Sequence, residues 1–177
     1  RILTKVDMLM LEMLANCNWE RPLYMAISVG EVSKLKFDHY FVQEGLAFRF
    51  TPFDYKKWGN VKGDNNYAID VERLYENVMN RYKYGGLDTP GLYLDETTLR
   101  TCYYHRRLFA QLAKELIRQG DNTRARKVLA YAEQAVPAYN VPEIYESGSF
   151  DIAKTYAALG EKTKAMPLLK YLSLIHI

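Results

Sequence analysis

The densest run of reactive side chains in this sequence is Cys102-Tyr103-Tyr104-His105-Arg106-Arg107. A thiol, two phenols, an imidazole and two guanidiniums offer a nucleophile, an acid–base group and a planar fork for a carboxylate or phosphate. What they can do together depends on which of them share a face. On a helix, consecutive residues turn by about 100°, so the cluster is diluted; Tyr103, Arg106 and Ala110 line up. Arg106 with Arg107 can then hold an anion, although a solvated Arg beside core aromatics is the simpler reading. A second pair, Trp19 and Arg21, precedes an apolar run. Stacking of Arg21 on Trp19 or a neighbouring aromatic would lock the entry to a strand, with a ligand groove as the further use of the pair.

Other chemistry is not signalled. His39, His105 and His176 are isolated from one another and lack a ligand partner at helical spacing, so no metal site is expected. Cys17 and Cys102 form no CxxC, which rules out a metal knuckle. Two buried free thiols are the simpler state, and a disulfide would require an extracytoplasmic setting. Asp95, Glu96 and Glu115 supply carboxylates, but capping explains Asp95 without catalysis. There is no glycine-rich phosphate loop, serine elbow or HExxH. The sequence therefore assigns no catalytic residue, cofactor or metal. Net charge is +3, with the middle of the chain most basic: residues 81–130 carry 10 basic and 5 acidic side chains. That excess can attract an acidic partner but is too mild to argue for nucleic acid. No apolar run approaches the 18 or so residues of a membrane span.

The elements that would position these groups read as mainly helical. Residues 2–15 form a helix whose apolar face, widened by Met8, Leu11 and Leu14, needs cover on more than one side. Leu23–Val29, ended by Gly30, reads as a buried strand, and Leu46–Thr51, with alternating Leu46, Phe48 and Phe50, as its half-buried companion. Phe37, Tyr40 and Phe41 suggest one helical turn between them. Residues 54–66 are a polar loop and the expected boundary. A helix capped by Asp70 then runs from Val71 to Gly85, followed by the turn cluster Gly85–Gly91. Asp95 caps a further helix of about 24 residues that continues into Arg106–Pro137, where two apolar stripes flank Gly120-Asp121.

That hairpin has a counterpart 40 residues on: Leu112, Ala113, Leu116, Gly120, Ala125 and Leu129 fall on Ile152, Ala153, Tyr156, Gly160, Ala165 and Leu169. The pattern resembles the tetratricopeptide repeat, whose helix–turn–helix unit recurs at about 34 residues. The six extra residues fit Ala138–Glu143, with Pro142 opening the next helix. Pro167 departs from the pattern and predicts a kink. Residues 71–84 with 96–105 can serve as a third, degenerate hairpin.

At Asn18-Trp19-Glu20-Arg21-Pro22-Leu23-Tyr24-Met25-Ala26 and Gln43-Glu44-Gly45-Leu46-Ala47-Phe48-Arg49-Phe50-Thr51-Pro52 the chain resembles a known family. It is similar to the C-terminal soluble part of Bacteroidetes multi-pass membrane proteins, long filed as a domain family of unknown function. Their membrane portion is similar to GT-C type protein O-mannosyltransferases. The resemblance covers about residues 2–53. It implies that catalytic acids lie in the membrane portion, that this part faces the periplasm, and that the first helix joins it to the last membrane span. In that compartment a Cys17–Cys102 disulfide gains weight.

The expected architecture is thus mainly α: helical, tetratricopeptide-like hairpins over 67–172, preceded by a helix and a two-stranded β element over 1–53. Residues 173–177 read as a tail of artefactual character. The expected function is a non-catalytic, periplasmic domain that binds an acceptor or partner protein, using a groove of Tyr103, Tyr104, Arg106 and Arg107. The membrane would be reached only through the absent N-terminal part. Two rivals remain: a carbohydrate-binding or enzymatic module with Trp19, Tyr24 and the turn Gly85–Asp95 around a sugar, and a cytoplasmic adaptor.

Overall fold

The computed structural model describes residues 3–29, 37–55 and 67–175. Gly30, most of the expected loop 54–66, His176 and the end of the expected tail lie outside them. The chain is mainly helical with a small sheet near its N-terminus, and it divides into two compact units, Arg1–Leu74 and Tyr75–Ile177.

In the first unit, helix α1 spans Lys5–Asn16. Thr4 caps it reciprocally with Asp7: the Asp7 N–H donates to Thr4 Oγ1, and the Asp7 carboxylate accepts from the Thr4 N–H at 2.8 Å. The described residues do not give its apolar face the expected cover: Met8, Leu9 and Met13 are each more than half exposed. The two expected strands are present but shorter, as β1 (Tyr24–Ala26) and β3 (Ala47–Phe50), paired antiparallel, and β1 is not the buried strand expected, since Tyr24 and Ala26 are exposed. They belong to a four-stranded sheet, not a two-stranded one. Asp38–Tyr40 makes the expected single turn, as a 3-10 turn, but Phe41–Gln43 then extends as β2, antiparallel to β3. Ala68–Ile69 adds β4, parallel to β2, giving the order β1-β3-β2-β4. Phe41, paired with Phe50, and Gln43, paired with Phe48, share one face. That face gathers an aromatic cluster in which Phe50 touches Trp19, Phe37, Tyr40 and Phe41.

Helix α2 begins at Val71, with the Asp70 carboxylate accepting from the Arg73 N–H, and the unit division falls within it. The expected helix to Gly85 forms from Val71 but stops short, at Arg81, and changes type on the way. After Glu76 the chain widens into a π-turn over Asn77–Arg81 and then extends. The carbonyl of Asn77 takes the Tyr82 N–H, and the carbonyl of Val78, left without a helical donor, takes the Tyr84 hydroxyl at 2.7 Å.

The second unit is built on α3 (Glu96–Arg118), which packs on α4 (Asn122–Ala135) and on α5 (Ser149–Ala158); α5 packs on α6 (Lys162–Ile175). Asp95 caps α3 by accepting from the Thr97 and Thr98 N–H groups. Gly120 (φ +86°) and Gly160 (φ +79°) both end their helices in the left-handed conformation. Leu112, Ala113, Leu116 and their counterparts Ile152, Ala153 and Tyr156 are all buried. Pro142 does not open a helix: α5 starts seven residues later, after a 3-10 turn over Tyr145–Ser147. Pro167 lies inside α6.

Candidate functional site

The expected Tyr103–Arg107 groove is not what the structure builds. Arg106 is 5% exposed. Its Nη1 donates to the Pro142 carbonyl at 2.8 Å, Ser147 Oγ at 3.0 Å and Ser149 Oγ at 3.3 Å. Its Nη2 donates to the carbonyls of Val136 at 3.1 Å and Val141 at 2.7 Å. All five acceptors are neutral, so the guanidinium is solvated by the chain itself and presents no fork to a ligand. Burial lowers its pKa, and the charge of Glu143 acts in the opposite sense. The α4–α5 connection, Val136 to Gly148, thereby wraps around one side chain of α3. This accounts for the added residues Ala138–Glu143: Val141 and Pro142 supply acceptors.

Arg107 is exposed and donates to the Glu146 carbonyl, with its guanidinium carbon 5.8 Å from the Tyr104 ring centre. Tyr103 is half-buried. Cys102 is buried, which raises its thiol pKa, and both Cys17 and Cys102 are free thiols. The disulfide is therefore absent.

Trp19 is half exposed and stacks on Phe50, with ring centres 6.0 Å apart, not on Arg21. Among the described residues no guanidinium of Arg21 lies over a ring. Asn18 (φ +47°) and Trp19 (φ +60°) both hold a left-handed backbone that residues other than glycine seldom adopt. Tyr24 pairs with Arg49 and so points to the face opposite Phe50. There its hydroxyl donates to the buried Glu44 carboxylate at 3.1 Å, which also takes Arg49 Nε at 2.5 Å and Arg73 Nη1 at 3.0 Å. Burial and then Glu44 push the Tyr24 phenol pKa up. Trp19 and Tyr24 therefore do not converge on one sugar.

What the second unit does build is an open cleft of about 560 Å³. Its walls are Met79 and Asn80 of the π-turn, Tyr82 to Tyr84 of the extended segment, the turn Gly86–Asp88, and Tyr131, Gln134 and Ala135 of α4. The rings form an ordered set. Tyr84 stacks on Phe109 with centres 5.7 Å apart and stands edge-on to Tyr131 at 6.0 Å and His105 at 5.2 Å. Tyr82 stands edge-on to His105 at 6.1 Å. Burial raises the Tyr84 phenol pKa and lowers that of the His105 imidazole, disfavouring the charged form of each. The turn forming one wall is pinned from the α4–α5 connection. Asn140 Nδ2 donates to the carbonyls of Leu87 at 2.7 Å and Thr89 at 2.6 Å, and the Tyr139 hydroxyl donates to the Asp88 carbonyl at 2.7 Å.

None of the cleft-lining tyrosines was singled out as a site residue from the sequence. The available signal was the abundance of tyrosine, 15 residues in 177, clustered around positions 75–84 and at 131. A π-turn leaves no mark on a pattern of apolar residues at helical spacing.

Fold and site together define a mainly helical protein with a small four-stranded sheet and a tyrosine-lined cleft held between irregular segments. Residues 1–72, nearly all of the first unit, match the family model described as TMEM260-associated domain 2, and the match fits a TMEM260-related domain. No curated protein and no solved structure matches the chain. Among the described residues no helix is long and apolar enough to cross a membrane, and no group of His, Cys, Asp and Glu is placed to hold a metal ion.

Proposed function

We propose that this chain is a non-catalytic, periplasmic module of a membrane glycosyltransferase-like protein, and that its second unit binds the acceptor polypeptide. The observation that carries the binding role is the cleft: aromatic walls from two separate segments, Tyr82 to Tyr84 and α4, ordered by ring contacts, and a turn ordered by hydrogen bonds from Asn140 and Tyr139. Walls ordered before a ligand arrives lower the entropic cost of binding. The family match over residues 1–72 supports the link to O-mannosyltransferase-type proteins, whose resemblance implies an extracytoplasmic location. The two helical hairpins, which close alike at Gly120 and Gly160, support a tetratricopeptide-like reading of the second unit.

A photo-crosslinking residue at exposed Gln134 tests this in the membrane-anchored protein. Acceptor polypeptide should be captured from Gln134 and not from exposed Lys170 on α6, and Tyr131→Ala should suppress the capture. Equal capture from both positions would defeat the assignment.

A further inference from the structure

We infer that the tyrosine cleft is a saccharide site, taking one or two rings of a neutral glycan carried by the acceptor; this rests on the acceptor-binding reading and names what the cleft would read. Charge comes first. Lys83 and Asp88 both line the cleft and offset one another, so a phosphate or other polyanion gains no net field. Much of the basic excess of this region is engaged elsewhere: Arg118 with Glu115, Arg124 with Asp121, Arg126 with Glu161, and Arg106 inside the connection. Polarity comes second. A lipid chain needs continuous apolar walls, but Leu87 and Ala135 are themselves buried, at 7% and 8% exposure, which leaves half-buried Met79 as the one aliphatic wall residue with accessible surface.

What remains is aromatic rings beside amides and a carboxylate. A sugar ring presents C–H groups on its faces and hydroxyls around its edge. The first pack on phenol rings, and the second exchange hydrogen bonds with side chains such as Gln134 and Asp88, which both accept. Tyr82 and Tyr131 are half-buried, as platforms accessible to a ligand should be. Asn80 is tethered by a 2.6 Å bond from its Nδ2 to Glu76. The volume falls inside the range of small-molecule sites, about 300–1,000 Å³. A further feature lies in one wall: the π-turn Asn77–Arg81, a rare form frequent at functional sites. It ends the helix early and turns the following chain into an extended wall.

Saturation-transfer NMR on the full chain, with methyl mannoside, methyl glucoside, N-acetylglucosamine and their disaccharides, tests the inference. The expected result is transfer to ring C–H protons of at least one of them. Gln134→Ala, a change at an exposed helix position, should weaken binding roughly tenfold with the circular dichroism unchanged. Tyr131→Phe should keep the stacking and most of the affinity, while Trp19→Ala should have no effect. Absence of transfer from every saccharide, or transfer unaltered by Gln134→Ala, overturns the saccharide site. The failures of the two readings separate: polypeptide capture from Gln134 that no saccharide competes away sinks the sugar alone. Saccharide binding without polypeptide capture sinks the acceptor reading alone.

Discussion

Arg106 holds the second unit together through hydrogen bonds to uncharged groups. Removing it would strand the buried carbonyls of Val136 and Val141, each costing about 1–3 kcal/mol when left without a donor. We expect Arg106→Met to destabilise the chain by about 2–6 kcal/mol, the cost of stranding those two carbonyls, in urea unfolding. Arg106→Lys should rescue little, because one ammonium cannot serve acceptors spread over both arms of a guanidinium. Beside it, Gly148 approaches α3 so closely that an added Cβ would lie 2.8 Å from Arg107 Cγ and 3.1 Å from the Arg107 backbone nitrogen. Gly160 has a similar positive φ but nothing within 4 Å of the added atom. Gly160→Ala should therefore cost about 1–2 kcal/mol, the left-handed penalty alone. Gly148→Ala should cost roughly 1–3 kcal/mol more, from the overlap. Equal losses at the two positions would refute the close approach.

Among the elements, α6 contains a conflict between residue type and secondary structure. Pro167 has no N–H to give to the carbonyl of Thr163, four residues earlier, yet the helix continues past it to Ile175. Pro167→Ala should stabilise the fold by up to about 3 kcal/mol and raise helical ellipticity; a loss of stability would mean the proline supplies a needed bend. The elements also mark how much could be read in advance. Helix α3 was legible to within a residue, because Asp95 caps it and its apolar residues keep helical spacing. The hairpin turns were legible because glycine at positive φ has few substitutes. β4 was not: two residues cannot show alternation, and its partner strand lies 26 residues away. The early end of α2 was hidden as well, since Val78, Met79 and Tyr82 continue the helical pattern that the backbone abandons.

For the whole molecule, the expected site and the observed one differ for a common reason. Spacing along a chain reports which residues share a face, but not which face is covered by a distant connection. The Tyr103–Arg107 run looked chemically rich, and residues 136–149 fold over Arg106 and consume it. The cleft, by contrast, assembles Tyr82, Tyr84 and Tyr131 across nearly 50 positions of sequence. The two cysteines belong to different units, and a thiol count checks their state. Aromatic disulfide reagent should label half-buried Cys17 promptly and buried Cys102 slowly, and should find two thiols after denaturation. Fewer than two would restore the disulfide.

The way Arg106 is held also bears on how this chain can change over evolutionary time. Connections between helices ordinarily accept replacements and insertions more freely than the helices do. Here the connection is read through its backbone carbonyls at 136, 141 and 142, so the side chains at those three positions are not what the guanidinium recognises. The number of residues is another matter, because one more or one fewer between 136 and 149 would displace the acceptors at 141 and 142 from the guanidinium. Related chains should therefore keep the length of this connection, together with an arginine in α3, Asn140 and the Ser-Gly-Ser of 147–149, while varying in identity at exposed positions such as Ala138 and Glu146.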